Sequence, residues 1–251
     1  MTDPNRRSPG IEWKQRLYEQ YVSTGQSARK PKIQLNTKDY PYYQKIIKEI
    51  MPGRMDVSII DLACGYGALI YSLKSAGYKN VVGIDISPEQ VKLAHQLGVK
   101  EIECNSIQGY LEDKESVFDI VFLMDILEHL TKEELLTTLD QVYMSMNTKG
   151  KIIIHVPNGE GLFGMRTRYG DLTHELCFTS RSIEQALKVA GFRDIRTFED
   201  RPVIHGIRSF FRYLLWEVFT LGPRILLIVE TGLFKSILSQ NMLVTAEKIL
   251  E

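Results

Sequence analysis

The chain carries no excess charge of either sign, 31 Lys and Arg being matched by 31 Asp and Glu. A balanced chain sets up no net field to gather a polyanion, so nucleic acid is not an expected partner, although a local basic patch is compatible with zero net charge. Cysteine is scarce: Cys64, Cys104 and Cys177 follow no CxxC spacing and leave an odd thiol over. That pattern speaks against a disulfide framework and a cysteine-rich zinc site, and a reducing cytoplasm fits best. Met1 to Gly10 lack the apolar run of a secretory signal, so export is not expected. The most apolar block, Tyr213 to Leu233, is interrupted by Glu217, Pro223, Arg224 and Glu230. A buried charge in a bilayer costs roughly 2.5 to 3.5 kcal/mol even on a lenient scale, which disfavours a transmembrane helix.

What is present is an ordinary globular balance, 44% hydrophobic and 25% charged over 251 residues, enough for one large domain with additions. Residues 1–52 hold Trp13, Tyr18, Tyr21, Tyr40, Tyr42 and Tyr43 in a polar background, and their pattern predicts an amino-terminal helical cap with a loop around Thr24 to Pro31. From residue 53 to 251 strand, turn and helix alternate. Val57–Leu62 reads as a strand and Ala68–Ser75 as its helix; Asn80–Ile86 as a strand and Pro88–Leu97 as its helix, with Ser87 the N-cap and Pro88 the first helical residue. Glu101–Ser106 and Phe118–Met124 are further strands, followed by a helix over Thr131–Met146 capped by Thr131 with Glu134 three residues on, then a strand over Lys151–Val156. This order predicts an α/β fold with a parallel sheet and helices on both faces. A glycine-rich stretch, Asn158 to Asp171, opens a loop of about 158–179 beyond a strand's carboxyl end, where open α/β sheets bind ligands. A helix over Ser180–Ala190, a strand over Arg193–Phe198, an apolar helical insertion of about 204–238 and a strand over Leu243–Lys248 complete the chain.

The segment Asp61-Leu62-Ala63-Cys64-Gly65-Tyr66-Gly67 sets small residues where a chain turns from strand to helix and its backbone approaches a ligand closely. Asp85 closes the next strand about 18 residues later, the separation at which a carboxylate accepts from both hydroxyls of a ribose. A dinucleotide fingerprint, GxGxxG, would want a third glycine where Ile70 stands. Asp61 would repel a pyrophosphate but suits a ligand carrying an ammonium and a sulfonium.

These residues resemble the class I S-adenosylmethionine-dependent methyltransferases, which have a Rossmann-like sheet. The resemblance runs from about Met55 to Phe198 and includes Phe118-Asp119-Ile120-Val121, Met124-Asp125-Ile126-Leu127-Glu128-His129-Leu130 and Ala190-Gly191-Phe192. It implies S-adenosylmethionine as cofactor and S-adenosylhomocysteine as product. Asp61, Gly65 and Gly67, with Ala63 and Cys64 between them, would hold the methionine part. Asp85 and Ile86 would hold the ribose and adenine, Asn105 and Ser106 the adenine edge, and Met124 and Asp125 the far wall. Ala63 departs from the commoner glycine, and Asn105-Ser106 stands where many members have an acid.

An alcohol attacking the methyl group must lose its proton, and histidine is the natural base near neutral pH. His155, at a strand end, and His174, in the following loop, are the candidates; a local hydrogen-bonding role is the plainer reading of each. His174-Glu175-Leu176-Cys177-Phe178-Thr179 looks like the acceptor-side loop of small-molecule and sugar O-methyltransferases. Asp125-Ile126-Leu127-Glu128-His129 is also similar to an acid-x-x-Glu-His motif that binds a divalent metal in some O-methyltransferases. On that reading Asp125, Glu128, His129 and His174 form a magnesium or manganese site; in metal-free members the same residues cap a helix and pack beneath the cofactor. The expected activity is O-methylation of a small molecule, foremost a sugar hydroxyl in bacterial glycan or natural-product biosynthesis, with a nucleotide-linked or lipid-linked sugar as acceptor. The alternatives are methylation of a quinone precursor or other phenol at a membrane, or S-adenosylmethionine binding without catalysis. With Arg201, Arg208, Arg212, Arg224 and Lys235 alongside, the insertion suits peripheral contact with the inner face of a membrane; covering the sheet edge or forming a homodimer interface is the plainer role.

Overall fold

A computed structural model describes residues 34–232 and 234–249, together with Leu17. The rest of the expected amino-terminal cap lies outside the described residues. Seven strands form one sheet: β1 (Ser58–Leu62), β2 (Asn80–Asp85), β3 (Ile102–Cys104), β4 (Phe118–Met124), β5 (Met146–Pro157), β6 (Arg193–Glu199) and β7 (Asn241–Glu247). Their spatial order is β3-β2-β1-β4-β5-β7-β6. The first five are parallel to one another, whereas β7 runs antiparallel between β5 and β6. The sheet is therefore mixed, and the parallel expectation holds for its amino-terminal five strands.

Among the described residues from 34 on, the α-helices are α1 (Pro41–Glu49), α2 (Ala68–Ser75), α3 (Pro88–Gln96), α4 (Ile107–Leu111), α5 (Lys132–Ser145), α6 (Gly164–Arg168), α7 (Ser180–Val189) and α8 (Ile207–Thr231). One apolar layer joins Ile46, Leu69, Leu73 and Val91 of α1, α2 and α3 to Ile59, Phe122 and Ile153 of the sheet. The opposite layer joins Leu111, Leu139, Val142 and Leu187 of α4, α5 and α7 to Ile60, Val121 and Ile154. Central strands buried on both faces are why their sequences read as continuous apolar runs.

Local signals place several boundaries. Ser87 accepts from the Gln90 N–H at the start of α3, and Thr131 and Glu134 form a reciprocal capping box at α5. β5 begins at Met146, directly after α5, five residues before the expected Lys151. Short α4 and α6 were not signalled by periodicity, five residues being too few to display it.

The insertion is one 25-residue helix, α8, with Pro223 inside it. Its inner side is polar. Glu199 at the end of β6 accepts from Arg224 at 2.7 and 2.8 Å, from Arg201 at 3.1 Å and from the Leu238 N–H at 2.7 Å. Arg201 also reaches Glu217 at 2.9 Å, and the Trp216 ring lies near both guanidinium groups. Among the described residues no helix is long and apolar enough to cross a membrane.

Candidate active site

Three of the turn residues between β1 and α2 have left-handed backbone: Ala63 at φ 64°, Gly65 at 55° and Gly67 at 79°. A Cβ on Gly67 would stand 2.5 Å from Ile102 Cδ1, so this position requires glycine on two counts. Ala63 occupies the same region with a side chain, at a cost of roughly 1 to 2 kcal/mol. Ile70, which had counted against a dinucleotide turn, packs against Gly83 of β2, where a Cβ would lie 2.4 Å from Ile70 Cδ1 and 2.8 Å from Cys64 Sγ. The close approach of α2 to the sheet, which the fingerprint secures by a glycine on the helix, is here secured by a glycine on the strand.

Two acids face this turn. Asp85 Oδ2 accepts from the Gly65 N–H at 2.7 Å and Oδ1 from the Ser87 N–H at 2.8 Å, leaving a further lone pair on each oxygen. Burial raises its pKa against the opposing pull of these two bonds. Asp61 is buried, and its Oδ1 has no hydrogen-bond partner among the described residues. Burial, then the Asp85 carboxylate, holds Asp61 well above the usual carboxylate range. A buried carboxyl without a partner fits a cationic group such as an ammonium. Cys64, between them, is pushed up by burial and by both acids, so it is no thiolate nucleophile. Ile86 is 62% exposed beside Asp85, an apolar surface on which a flat base can lie. Asn105 is exposed with its N–H on the Asp85 carbonyl, while Ser106 is engaged in capping α4.

The far wall comes from the ends of β4, β5 and β6. Asp125, in left-handed backbone at φ 56° after β4, meets His155 Nδ1 at 2.5 Å; Asp200 lies 3.3 Å from His155 Nε2. Registers explain the meeting: His155 is opposite Leu243 of β7, and Leu243 opposite Phe198 of β6, so the carboxyl ends of β5 and β6 share an edge. Burial opposes charge on His155, but Asp125 and then Asp200 overcome it and raise its pKa well above 6.5. With a carboxylate at each ring nitrogen, His155 is drawn toward its imidazolium form, a clamp between Asp125 and Asp200. Asp125 is correspondingly lowered, burial being outweighed by His155. Tyr42 of α1 packs its ring 5.2 Å from the His155 ring.

The loop after β5 brings up the other histidine. Glu175 and Leu176 donate their N–H groups to the Glu128 carbonyl, and Arg168 donates to the His174 and Glu175 carbonyls. His174 Nδ1 lies 2.9 Å from the Thr167 carbonyl; a carbonyl only accepts, so Nδ1 carries the proton and Nε2 has the lone pair. His129 Nδ1 lies 2.8 Å from Thr173 Oγ1, whose own proton goes to Asp171 at 2.6 Å. By the same logic His129 donates from Nδ1 and keeps its Nε2 lone pair. Burial and then His174 lower His129 to about 4, leaving it neutral. The two rings stand edge-on, 4.6 Å apart. Glu128 is buried with Oε2 unpartnered among the described residues, and burial, then Asp125, raise it well above its ordinary value.

Glu128, His129 and His174 each offer a ligand atom within 4.8 Å of the others. Two imidazole nitrogens and a buried carboxyl oxygen with no partner among the described residues are a donor set that fits a divalent cation. Asp125, expected in the same set, turns to His155 instead. Sequence reasoning missed Tyr42, Asp171, Thr173 and Asp200; the one available signal was Asp200 directly after a strand.

A family model described as a methyltransferase domain matches residues 12–197, which contain the turn, both acids and the His174 loop. Over 92 residues the chain is 34% identical to the mitochondrial ubiquinone biosynthesis O-methyltransferase of Saccharomyces cerevisiae, covering 35% of this chain and 30% of that one. A protein of Methanocaldococcus jannaschii is 27% identical over 133 residues, 52% of this chain and 55% of that one. The chain thus spans about half the length of these curated relatives, or less. A SAM dependent methyltransferase from Archaeoglobus fulgidus has the same fold, with a TM-score of 0.63 at 20% identity over 82% of this chain and 93% of that one. The chain belongs to the methyltransferase domain family, and its sheet has the class I Rossmann-like form.

Proposed function

We propose that the chain transfers the methyl group to a hydroxyl oxygen of a small molecule. The observation that carries this is the proton-accepting Nε2 of His174, fixed by the Nδ1 contact to the Thr167 carbonyl on the acceptor side of the site. In this reading Asp61 receives the cofactor's ammonium, with Ala63, Cys64, Gly65 and Gly67 forming the backbone cradle. Asp85 receives the ribose hydroxyls, Ile86, Asn105 and Ser106 border the adenine, and Met124 and Asp125 form the far wall. S-adenosylmethionine, where bound, would supply the methyl group on a sulfonium with a neutral thioether as leaving group, and His174 Nε2 would take the proton of the acceptor hydroxyl. The His155 imidazolium orients Asp125 and Asp200 and stays charged throughout.

A divalent cation, where bound, would be held by Glu128, His129 and His174 and would lower the pKa of the acceptor hydroxyl. The two uses of His174 exclude each other, and a chelator separates them. A sugar hydroxyl, nucleotide-linked or lipid-linked, is the first acceptor class. A phenol of quinone-precursor type at the inner face of a membrane is the second, favoured by the partial match to a ubiquinone O-methyltransferase.

The test is formation of S-adenosylhomocysteine with nucleotide sugars and with dihydroxybenzoates, with and without EDTA, for wild type and His174→Ala. Acceptor-dependent turnover that falls about 10²- to 10⁴-fold in the variant, with cofactor affinity unchanged, supports a base at His174. Unchanged turnover in His174→Ala sinks that role, and cofactor binding without turnover on any hydroxyl favours a binding protein. Loss with EDTA, restored by magnesium, assigns the three side chains to a cation.

A further inference from the structure

α8 is amphipathic in the wrong sense for a helix packed on its own domain. Its inner side carries the polar network around Glu199, and its only buried residues are Ser209 and Thr220. The outward side is apolar: Ile207 and Val229 are 78% exposed and Phe219 is 73% exposed. At 3.6 residues and 5.4 Å per turn the exposed apolar arc runs about 180° round the helix, from Phe210 to Phe219, and about 33 Å along it, from Ile207 to Val229. A packed helix normally presents a stripe of about 100°.

The charges on this face are mostly of one sign. Arg208 lies within the arc, Arg212 at its edge and Lys235 just beyond the helix, all exposed and in no ion pair among the described residues; among those residues Glu230 is the one acid of the helix beside the arc. A second copy packed antiparallel could set Arg208 against Glu230, but it would leave Arg212 and Lys235 without an acid to meet. A second element has the same character. In the loop after β5, Phe163, Met165 and Leu172 are exposed beside Arg166. Both elements are tied to one segment: Asn158 donates to the Ile237 and Ser239 carbonyls, the Leu162 N–H to the Leu238 carbonyl, and Arg224 of α8 to the Ser236 carbonyl. α8 also begins seven residues after Asp200 and the loop leads to His174, so both border the acceptor side.

We infer that α8 and the loop tip together dock this enzyme on an anionic lipid surface, α8 lying in the plane of the headgroups. A half-cylinder of aliphatic and aromatic side chains with flanking arginines suits an interface that yields to shape and carries negative charge. The inference is independent of which hydroxyl is methylated.

The test is flotation of the whole chain with vesicles of phosphatidylcholine alone and of phosphatidylcholine with phosphatidylglycerol, alongside light scattering for mass in solution. The expected result is binding to the anionic vesicles only. Arg208→Gln with Arg212→Gln should weaken it about 30-fold, and Val218→Glu with Phe219→Glu should abolish it. Both double variants lie off the polar network and should keep the wild-type circular dichroism and S-adenosylmethionine affinity. Failure of the wild type to float, equal binding to neutral vesicles, or a dimer that Phe219→Glu disperses while lipid binding is absent would each overturn the inference; the last would assign the face to a second copy.

Discussion

The contact between Gly83 and Ile70 can be tested apart from any chemistry. A Cβ at residue 83 would stand 2.4 Å from Ile70 Cδ1 and 2.8 Å from Cys64 Sγ, so Gly83→Ala overpacks the join between α2 and the sheet. Residue 83 lies within β2 with ordinary extended backbone, and the penalty is therefore steric alone, about 1 to 3 kcal/mol. Ile70→Val removes the nearer obstructing carbon and costs about 0.5 to 1.5 kcal/mol by itself. If the two side chains compete for one space, the double variant should recover about 1 kcal/mol relative to the sum of the singles. For a chain of this size that is about 2 to 4 °C in the thermal midpoint, within reach of scanning calorimetry. Because Ile70 and Cys64 bracket the turn, S-adenosylmethionine affinity should fall in Gly83→Ala and return in part in the double variant, as titration calorimetry would read. Strict additivity of the two costs would refute the claim that Gly83 serves as the missing third glycine.

Asp61→Asn should stabilise the ligand-free protein at neutral pH. With the folded pKa raised above the unfolded value near 3.8, the folded state binds the extra proton, and stability declines as pH climbs from that value through the folded pKa. The variant should lose that decline in thermal melts across acid to neutral pH, and it should bind S-adenosylmethionine about 10- to 150-fold more weakly for want of a charged partner. Asp85→Ala should likewise cut cofactor affinity in a titration while leaving the fold intact. Glu199→Gln strips a nearly buried carboxylate from Arg224 and Arg201 and should cost about 3 to 5 kcal/mol in denaturant unfolding; a loss below 1 kcal/mol would mean the network does not hold α8.

The strand, turn and helix alternation was legible because its signals are local. The Thr131 and Glu134 pair announces α5 within four residues, and Asp61 to Gly67 carry their turn chemistry in sequence. The far wall was not legible. Asp200 reaches His155 only because β7 enters between β5 and β6, a pairing that involves residues more than forty apart in sequence. The spacing from Asp125 to His129 suggested one ligand set, but left-handed backbone at Asp125 and the short 3-10 turn Leu127–His129 divide it between His155 and His174. The polarity of α8 was concealed for a related reason. Glu217, Arg224 and Glu230 read as interruptions of an apolar run in sequence, but the end of β6 and the residues after it supply Arg201 and Glu199 as partners for the first two.

The place of β7 also bears on how the molecule is made. Its residues leave the ribosome after every other strand, yet they fill the gap between β5 and β6. Until then the edge of β5 has its hydrogen-bonding groups free, and β6 has no neighbour in the sheet. The apolar α8 has already emerged by that time. The amino-terminal five strands can assemble in order of synthesis, but the acceptor half must wait until β7 has emerged. Such an interval exposes an open strand edge and an apolar helix together, the pairing most prone to self-association. Yield of soluble protein should therefore respond to slower synthesis or added chaperone more strongly than the stability of the finished fold would suggest.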